Sequence, residues 1–563
     1  MKHWLISVLF LSITAFAQPP LIPDDANIQT ITDKISREHV SCESIIEYYL
    51  DRIKHYNFTS ESKAPLNAFV TLNPNALADA KSRDHDYKIS SKLVGPLHCV
   101  PVILKDNIDS LDTPSSSGTF ALLGSQPQQD AVLVQRLKEA GAIIIGKGGM
   151  DELANGANGI SSRSGRVGNV YNPNKNPGGS SSGPAVAVAA NFAVIGIGTD
   201  NSGSVRIPAT FNGLFSLRPT MGRINTSGIF PSGSLDGVPG PIAKSTEDLA
   251  LTFNIMAHDP LKALDTSDIK GKTIAIVTRA GKIPLFDGDN KEINALFDQT
   301  ISRLKTLGAN LVEIELPAFN SDRQFNAAGD VQLIDQYLSK FPSTRKNFLD
   351  ICESGRTANF NDESDCKKQV KDDFKLDGPE YQHAKEIIRK NKVYIEQVMN
   401  KRHIDALLLP ISVGESGEYD MMKVKTWNPP VSSNSGLPSV SFIVGYLKHH
   451  DVPPIAMEFI GHENSESTLL NFAYAYEQAY FKRLSPKLSR TSNKKIASLS
   501  IPELNNMITT VGAKSYSLIL KNGKPLDLKP EVFRQIFNEA IPSSLYEEIQ
   551  GRCGRGWNSY TLR

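Results

Sequence analysis

The sequence predicts an α/β protein with a large mixed central sheet and a small C-terminal extension. Three observations carry this reading. Segments of helical spacing alternate with short apolar strands along most of the chain. The 563 residues are enough to bury one large core, and 40 Gly and 33 Pro supply the turns that many short elements need. No repeat period is visible.

The elements follow in order. From Asp25 to Tyr56, apolar residues recur every three to four positions, and Ser41 is the expected N-cap of the second of two helices. Leu66–Leu72 reads as a strand, followed by a polar helix to Lys88. Leu97–Lys105 is an apolar strand ending on a charged residue. Asp130–Ala140 is an amphipathic helix closed by Gly141, and Ala142–Gly146 is a buried strand. The αβ pattern returns with a helix over Pro184–Ala190, a strand over Phe192–Thr199, a helix over Thr246–Met256 and a strand over Thr273–Thr278. A helix over Asn290–Leu307 and a strand over Asn310–Leu316 continue it. Residues 320–400 are polar and helical, as an insertion over the body would be. Strands resume at Ala406–Leu409, Ser439–Val444 and Ile455–Ile460, and a helix covers Ser465–Phe481. A composition shift near 485–495 marks a domain edge, so that 18–485 form the body and 486–563 an extension holding a β-like segment, Tyr516–Leu520.

Residues 1–17 read as a secretory signal peptide. Met1-Lys2-His3 is a basic start, Trp4–Phe16 is mostly apolar, and Ala15-Phe16-Ala17 is a small-x-small cleavage pattern before Gln18. The run is shorter than a membrane span requires. The expectation is an exported, periplasmic or extracellular protein with no stable membrane association. Charge is balanced, 61 basic against 60 acidic residues, which gives no electrostatic footprint for nucleic acid. Of five cysteines, Cys352 and Cys366 bracket a polar loop and are candidates for a bridge. Neither the cysteines nor the histidines have the spacing of a metal site. Two sequons, at Asn57 and Asn225, matter only if the source glycosylates.

The chemistry gathers on two Gly/Ser turns, Gly178–Gly183 and Asn201–Ser204, separated by small apolar residues. Acyl transfer needs a nucleophile, a group to take its proton, and donors aimed at the developing oxyanion. Ser204 ends a turn leaving a strand, where the N–H groups of Asn201, Ser202, Gly203 and Ser204 form an anion-binding nest. Lys105, at the mouth of its strand, serves as base if burial leaves it neutral. Ser180 would relay between the two.

These residues resemble the amidase signature family. The glycine/serine stretch 178–183 and the run from Gly198 to Ala209 are similar to its signature, and Lys105-Asp106-Asn107 is similar to its catalytic-lysine segment. Gly146-Lys147 with Met150-Asp151-Glu152-Leu153-Ala154, then Gly213–Thr220, Gly240-Pro241 and Ser435–Pro438 match further landmarks, over residues 28–485. The resemblance implies a three-layer α/β/α body and hydrolysis of a small-molecule or peptide amide without cofactor or metal. It implies Ser204 as nucleophile, Ser180 as the bridging serine behind a cis Gly179–Ser180 peptide, and Lys105 as base. Asn201–Ser204 would supply the oxyanion hole, with Ser181, Met150 and Arg206 at the substrate. Arg206 also has a reading as an ion-pair partner inside the fold. Two departures bear on substrate fit: Ser202 replaces a frequent glycine, which costs strain if the position needs φ > 0, and Ser182 stands where glycine is common.

Other readings stand beside this one. Gly179-x-Ser181-x-Gly183 satisfies the nucleophile-elbow pattern, but the preceding Asn172–Pro177 is no strand. The family includes the glutaminase-type subunits of amidotransferases, which work with partners on tRNA, and the signal peptide argues against that role here. A catalytically silent scaffold fits poorly with an intact Lys105, Ser180 and Ser204.

Overall fold

The computed structural model describes residues 22–521, with gaps at 59–64, 319–328, 358–362, 415–429, 449–452 and 491–495 and at single or paired positions elsewhere. The signal-peptide reading of 1–17 and the chain beyond 521 lie outside the described residues.

The strands in chain order are β1 (Phe69–Leu72), β2 (Pro101–Lys105), β3 (Ile143–Gly148), β4 (Ile160–Ser161), β5 (Gly165–Arg166), β6 (Ile195–Asp200) and β7 (Phe215–Arg218). They continue with β8 (Val238–Ala243), β9 (Thr273–Ala280), β10 (Ile283–Pro284), β11 (Asn310–Leu316), β12 (Ala406–Pro410), β13 (Ser439–Gly445) and β14 (Ile455–Gly461). Twelve of them form one sheet in the order β1-β3-β2-β6-β8-β7-β13-β14-β12-β9-β10, with β11 paired to β9. The sheet is mixed, as the alternation of elements predicts: β2 runs parallel to β3 and β6, whereas β8 is antiparallel to β6 and β7. β4 and β5 form a separate two-stranded ladder.

The helices form where the spacing places them, and their ends are satisfied. α1 (Ile28–Ser36) starts on Asn27 with a reciprocal Asn27/Thr30 capping box. α2 (Cys42–Tyr56) is capped by Ser41, whose side chain accepts from Ser44 N–H. Asp84, in α3 (Ala76–Ser90), accepts the next free donors, Cys42 N–H at 2.6 Å and Glu43 N–H at 2.9 Å. α4 (Val132–Glu139) leads through Gly141, at φ +98°, into β3. α5 (Ser182–Ala189) is buried along its whole length and packs on β2, β3 and β6. Small residues permit this approach, since a Cβ on Gly183 would stand 2.2 Å from Gly149 N. α6 (Arg206–Phe211) follows the second serine turn, α7 (Thr246–Ala257) packs on β7 and β8, and α8 (Lys291–Thr306) precedes β11.

Three features depart from the sequence reading. β7 and β8 are strands that periodicity does not reveal, β8 carrying Pro239 and Pro241. Tyr516–Leu520 is not β-like but lies in a helix, Ile501–Lys521, because a short apolar run has no period of its own. Leu504, Met507, Ile508 and Val511 of that helix join the main core, and Asn505 brackets the edge strand β1, accepting from Leu72 N–H at 2.7 Å and donating to Leu72 O at 3.0 Å. A side-chain amide thus takes the place of a further strand at this edge.

Cys42 and Cys99 form a disulfide that pins α2 to the segment entering β2. Sequence spacing gives no hint of it. Cys352 is also disulfide-bonded, whereas the side chain of Cys366 lies outside the described residues. Of the two sequon asparagines, Asn57 is fully buried with its Oδ1 accepting Ala68 N–H at 2.8 Å, and Asn225 is exposed. In the 320–400 region, helices span Asp330–Leu338, Phe348–Cys352, Glu363–Asp372 and Pro379–Lys401.

Candidate active site

β2 and β6 run parallel, so Lys105 and the pair Thr199-Asp200 arrive together at the same end of the sheet. Lys105 is fully buried. Its Nζ lies 2.7 Å from Ser180 Oγ, 2.9 Å from Thr199 Oγ1 and 3.2 Å from Thr199 O. Asn107 Nδ2 donates to the same Thr199 hydroxyl at 3.0 Å. Burial lowers the lysine to about 7, against the opposing pull of Asp151 and Asp200. A neutral amine in this cage can give its two N–H groups to Thr199 and accept the Ser180 proton.

The Gly179–Ser180 peptide is cis, as the family resemblance implies. Its surroundings require glycine: a Cβ on Gly179 would stand 1.9 Å from Asp151 Oδ2 and 2.9 Å from Ala157 Cα. The two serine turns are stitched together by Ser181 N–H donating to Ser204 O at 3.0 Å. Ser204 is 8% exposed, the most open of the three expected catalytic groups. The sequence predicts one hydrogen-bonded chain from Lys105 through Ser180 to Ser204. Its first link is formed, but among the described residues no hydrogen bond joins Ser180 Oγ to Ser204 Oγ; Ser180 is turned to the lysine and Ser204 toward the opening.

The expected nest is partly filled by the protein's own carboxylate. Asp200 accepts the N–H groups of Gly203 at 2.8 Å, Val205 at 3.1 Å and Arg206 at 3.4 Å. Gly203 N–H is therefore not free for an oxyanion, which corrects that part of the sequence reading. The N–H groups of Ser202 and Ser204 have no acceptor among the described residues. Asn201 Oδ1 is buried without a partner. The left-handed position falls on Gly203, at φ +121°, and Ser202 has no positive φ, so the serine that replaces a glycine adds no backbone strain.

Three further expected substrate contacts are used otherwise. Arg206 is 3% exposed and belongs to a buried ion network. Its Nε and Nη2 bind Asp200 at 3.1 and 3.2 Å and its Nη1 binds Glu458 at 2.7 Å, while Arg218 Nη1 reaches Asp200 Oδ1 at 3.2 Å. Burial raises the Asp200 carboxyl, but the two guanidiniums outweigh it and hold the group well below the usual carboxylate range. Ser181 is fully buried, with its Oγ accepting Thr199 N–H and donating to Thr199 O, both at 3.3 Å. A substrate cannot reach a hydroxyl that fastens the first turn to β6. Met150 is fully buried against Gly118, where a Cβ would stand 3.2 Å from Met150 Cγ. Ser182 Oγ donates to Gly149 O at 3.2 Å.

Thr199, Asn107, Asp151 and Glu458 escape the sequence reading. Thr199 and Asn107 lie inside quoted motifs but carry no pattern that assigns them to the lysine, and Glu458 comes from β14. Among the described residues, no group of three His, Cys, Asp or Glu side chains is placed to hold a metal.

Known proteins resemble the chain over most of its length. It is 30% identical over 493 residues to the A-type component of glutamyl-tRNA(Gln) amidotransferase from Geobacter metallireducens, covering 81% of this chain and 97% of that one. It is 28% identical over 507 residues to a putative amidase of Arthroderma benhamiae, covering 79% and 80%. The structure of peptide amidase from Stenotrophomonas maltophilia superposes with a TM-score of 0.71 at 28% identity, covering 83% of this chain and 99% of that one. The model of the Amidase family matches residues 44–470, and the chain therefore belongs to the amidase family, as an enzyme acting on amide C–N bonds.

Proposed function

We propose that this enzyme hydrolyses a small carboxylic amide or a peptide C-terminal amide to the acid and ammonia or an amine, through an acyl-enzyme on Ser204. The observation that carries the reading is the fully buried 2.7 Å contact between Lys105 Nζ and Ser180 Oγ, beside a turn that presents Ser204. Neutral Lys105 takes the Ser180 proton as Ser180 takes that of Ser204, and Ser204 Oγ attacks the carbonyl carbon. The N–H groups of Ser202 and Ser204 then receive the oxyanion. The proton held by Lys105 returns through Ser180 to the leaving nitrogen, the C–N bond breaks, and water releases the acid by the same relay run again. The peptide amidase likeness supports a C-terminal amide as one substrate class.

The second reading, a glutaminase-type component of an amidotransferase that works with partners, is favoured by the name of the Geobacter relative. We place the enzyme instead in an exported compartment. The buried Cys42–Cys99 disulfide and the bonded Cys352 support an oxidising environment, and the N-terminal sequence pattern agrees.

The test is ammonia or amine release from aliphatic, aryl, fatty-acyl and C-terminal peptide amides and from glutamine. The wild type should turn over at least one of the first four classes, and Ser204→Ala should lose about 10⁴-fold or more in kcat with its fold intact. Full residual activity in Ser204→Ala would refute the nucleophile. Turnover of glutamine alone, and only with partner proteins, would establish the second reading.

A further inference from the structure

The relay leaves one buried carboxylate beside the reacting groups without a task. Asp151 is 3% exposed and follows β3. Its oxygens accept Asn158 N–H at 2.9 Å and Gly159 N–H at 3.0 Å, and its own N–H donates to Ser180 O at 3.2 Å. The cradle is tight on two sides. A Cβ on Gly156 would stand 2.7 Å from Oδ1, and one on Gly179 would stand 1.9 Å from Oδ2. One side chain therefore touches the peptide that carries Ser180 and closes the 156–159 turn behind it.

The charge of Asp151 is also placed to act on Lys105. Two carboxylates pull the lysine's pKa upward against burial, Asp151 first and Asp200 second. Asp200 is bound to Arg206 and Arg218, which offset its field. Asp151 has no cation within ion-pair distance among the described residues, and Lys105 is the cation it senses. The remaining charged groups near this end of the sheet have partners. Asp106 accepts from Ser116 Oγ and Gly118 N–H, Lys147 donates to Ser115 Oγ, and Glu152 accepts from Ser162.

We propose that Asp151 is a positioning residue for Lys105: its carboxylate holds the Ser180 loop against the lysine, and its charge sets the strength of the base. The inference rests on Lys105 being the base. Burial alone would leave too weak an amine, and a base works best when its pKa lies near the working pH. Ionised Asp151 favours the ammonium form, so removing its charge must move the lysine further down.

The experiment is the pH dependence of kcat/KM for wild type and Asp151→Asn. The acid limb should move to lower pH by about one unit in the variant, and the plateau should fall about tenfold as the base weakens and the loop loosens. A plateau loss with the limb unmoved means that Asp151 only holds shape, which overturns the proposal. A wild type with no limb at all defeats the Lys105 reading itself, so the two failures are distinguishable. Should Asp151→Asn not fold, the wild type still decides. Asp151 is pushed up to about 6 by burial, so the limb should steepen from a slope of one toward two below that pH, as a second proton releases the Ser180 loop. A slope of one down to about pH 5 would overturn the proposal.

Discussion

Replacing Lys105 by methionine keeps the length of the side chain and removes its titration, which turns the buried lysine into a measurable stability term. Burial lowers Lys105 from 10.5 to about 7. The folded pKa lies below the unfolded one, so between these values the unfolded chain binds more protons and stability rises with pH. At 1.36 kcal/mol per pKa unit, the cost of burying this group is about 4 kcal/mol at pH 7 and about 2 kcal/mol at pH 9. Lys105→Met removes that cost but also strips Ser180 and Thr199 of a partner, at about 1–3 kcal/mol for each group left unsatisfied. The net sign at one pH is therefore less informative than the change between two. Urea denaturation of both proteins should show the variant's stability relative to wild type falling by about 2 kcal/mol from pH 7 to pH 9. Asp248 and Glu477, which burial pushes up to about 7, titrate in both chains and cancel. In the activity assay the neutral fraction of Lys105 rises from about one tenth at pH 6 to about nine tenths at pH 8, so wild-type kcat/KM should climb about tenfold from this group alone. Equal pH dependence of stability in the two proteins, or a flat rate profile from about pH 5 to 9, would refute a depressed lysine.

Ser180→Ala removes the middle of the relay while leaving Ser204 in place, and kcat should fall by about 10²- to 10⁴-fold; turnover near wild type would show that Lys105 acts without it. Arg206→Met leaves Asp200 and Glu458 short of a buried cation and should cost about 3–5 kcal/mol in urea denaturation. A raised KM with unchanged stability would instead return Arg206 to the substrate. Cys42 and Cys99 close a loop with a sequence separation of 57, for which chain entropy gives about 4 kcal/mol. The double variant Cys42→Ala/Cys99→Ala should lose stability on that scale, and an unchanged denaturation midpoint would show that the disulfide does not staple the fold.

What was legible in the sequence is what is local. Lys105 stands out because an apolar strand ends on a charge, and the serine turns stand out because glycine and serine cluster where the backbone must turn. The helices over 28–56 announce themselves by spacing and by Ser41. β7 is four residues long and β8 contains two prolines, so neither shows the alternation that marks a strand. β8 still pairs with β6 from Gly196↔Ile242 to Asp200↔Val238, and Gly240 is required there because a Cβ would stand 2.1 Å from Leu217 O. Contacts across long separations have no local signal at all: Asn505 on Leu72, the Cys42–Cys99 bridge, and Glu458 on Arg206.

Arg206 shows why this matters for chemistry. Asp200 places a negative charge inside the turn that must receive an oxyanion, and taken alone it would oppose the transition state. Arg206 and Arg218 meet it at 3.1 and 3.2 Å, and Glu458 takes the second charge of Arg206 at 2.7 Å. Two carboxylates and two guanidiniums sum to zero in a site nearly closed to solvent. The Asp200 oxygens can then grip Gly203, Val205 and Arg206 N–H and fix the shape of the turn without imposing a net field on it. Arg206 acts on the reaction through Asp200, and this balance depends on Arg218 from β7 and Glu458 from β14. A residue that by type and position suggests recognition of an acidic substrate has its charge neutralised by partners that only the folded sheet brings to it.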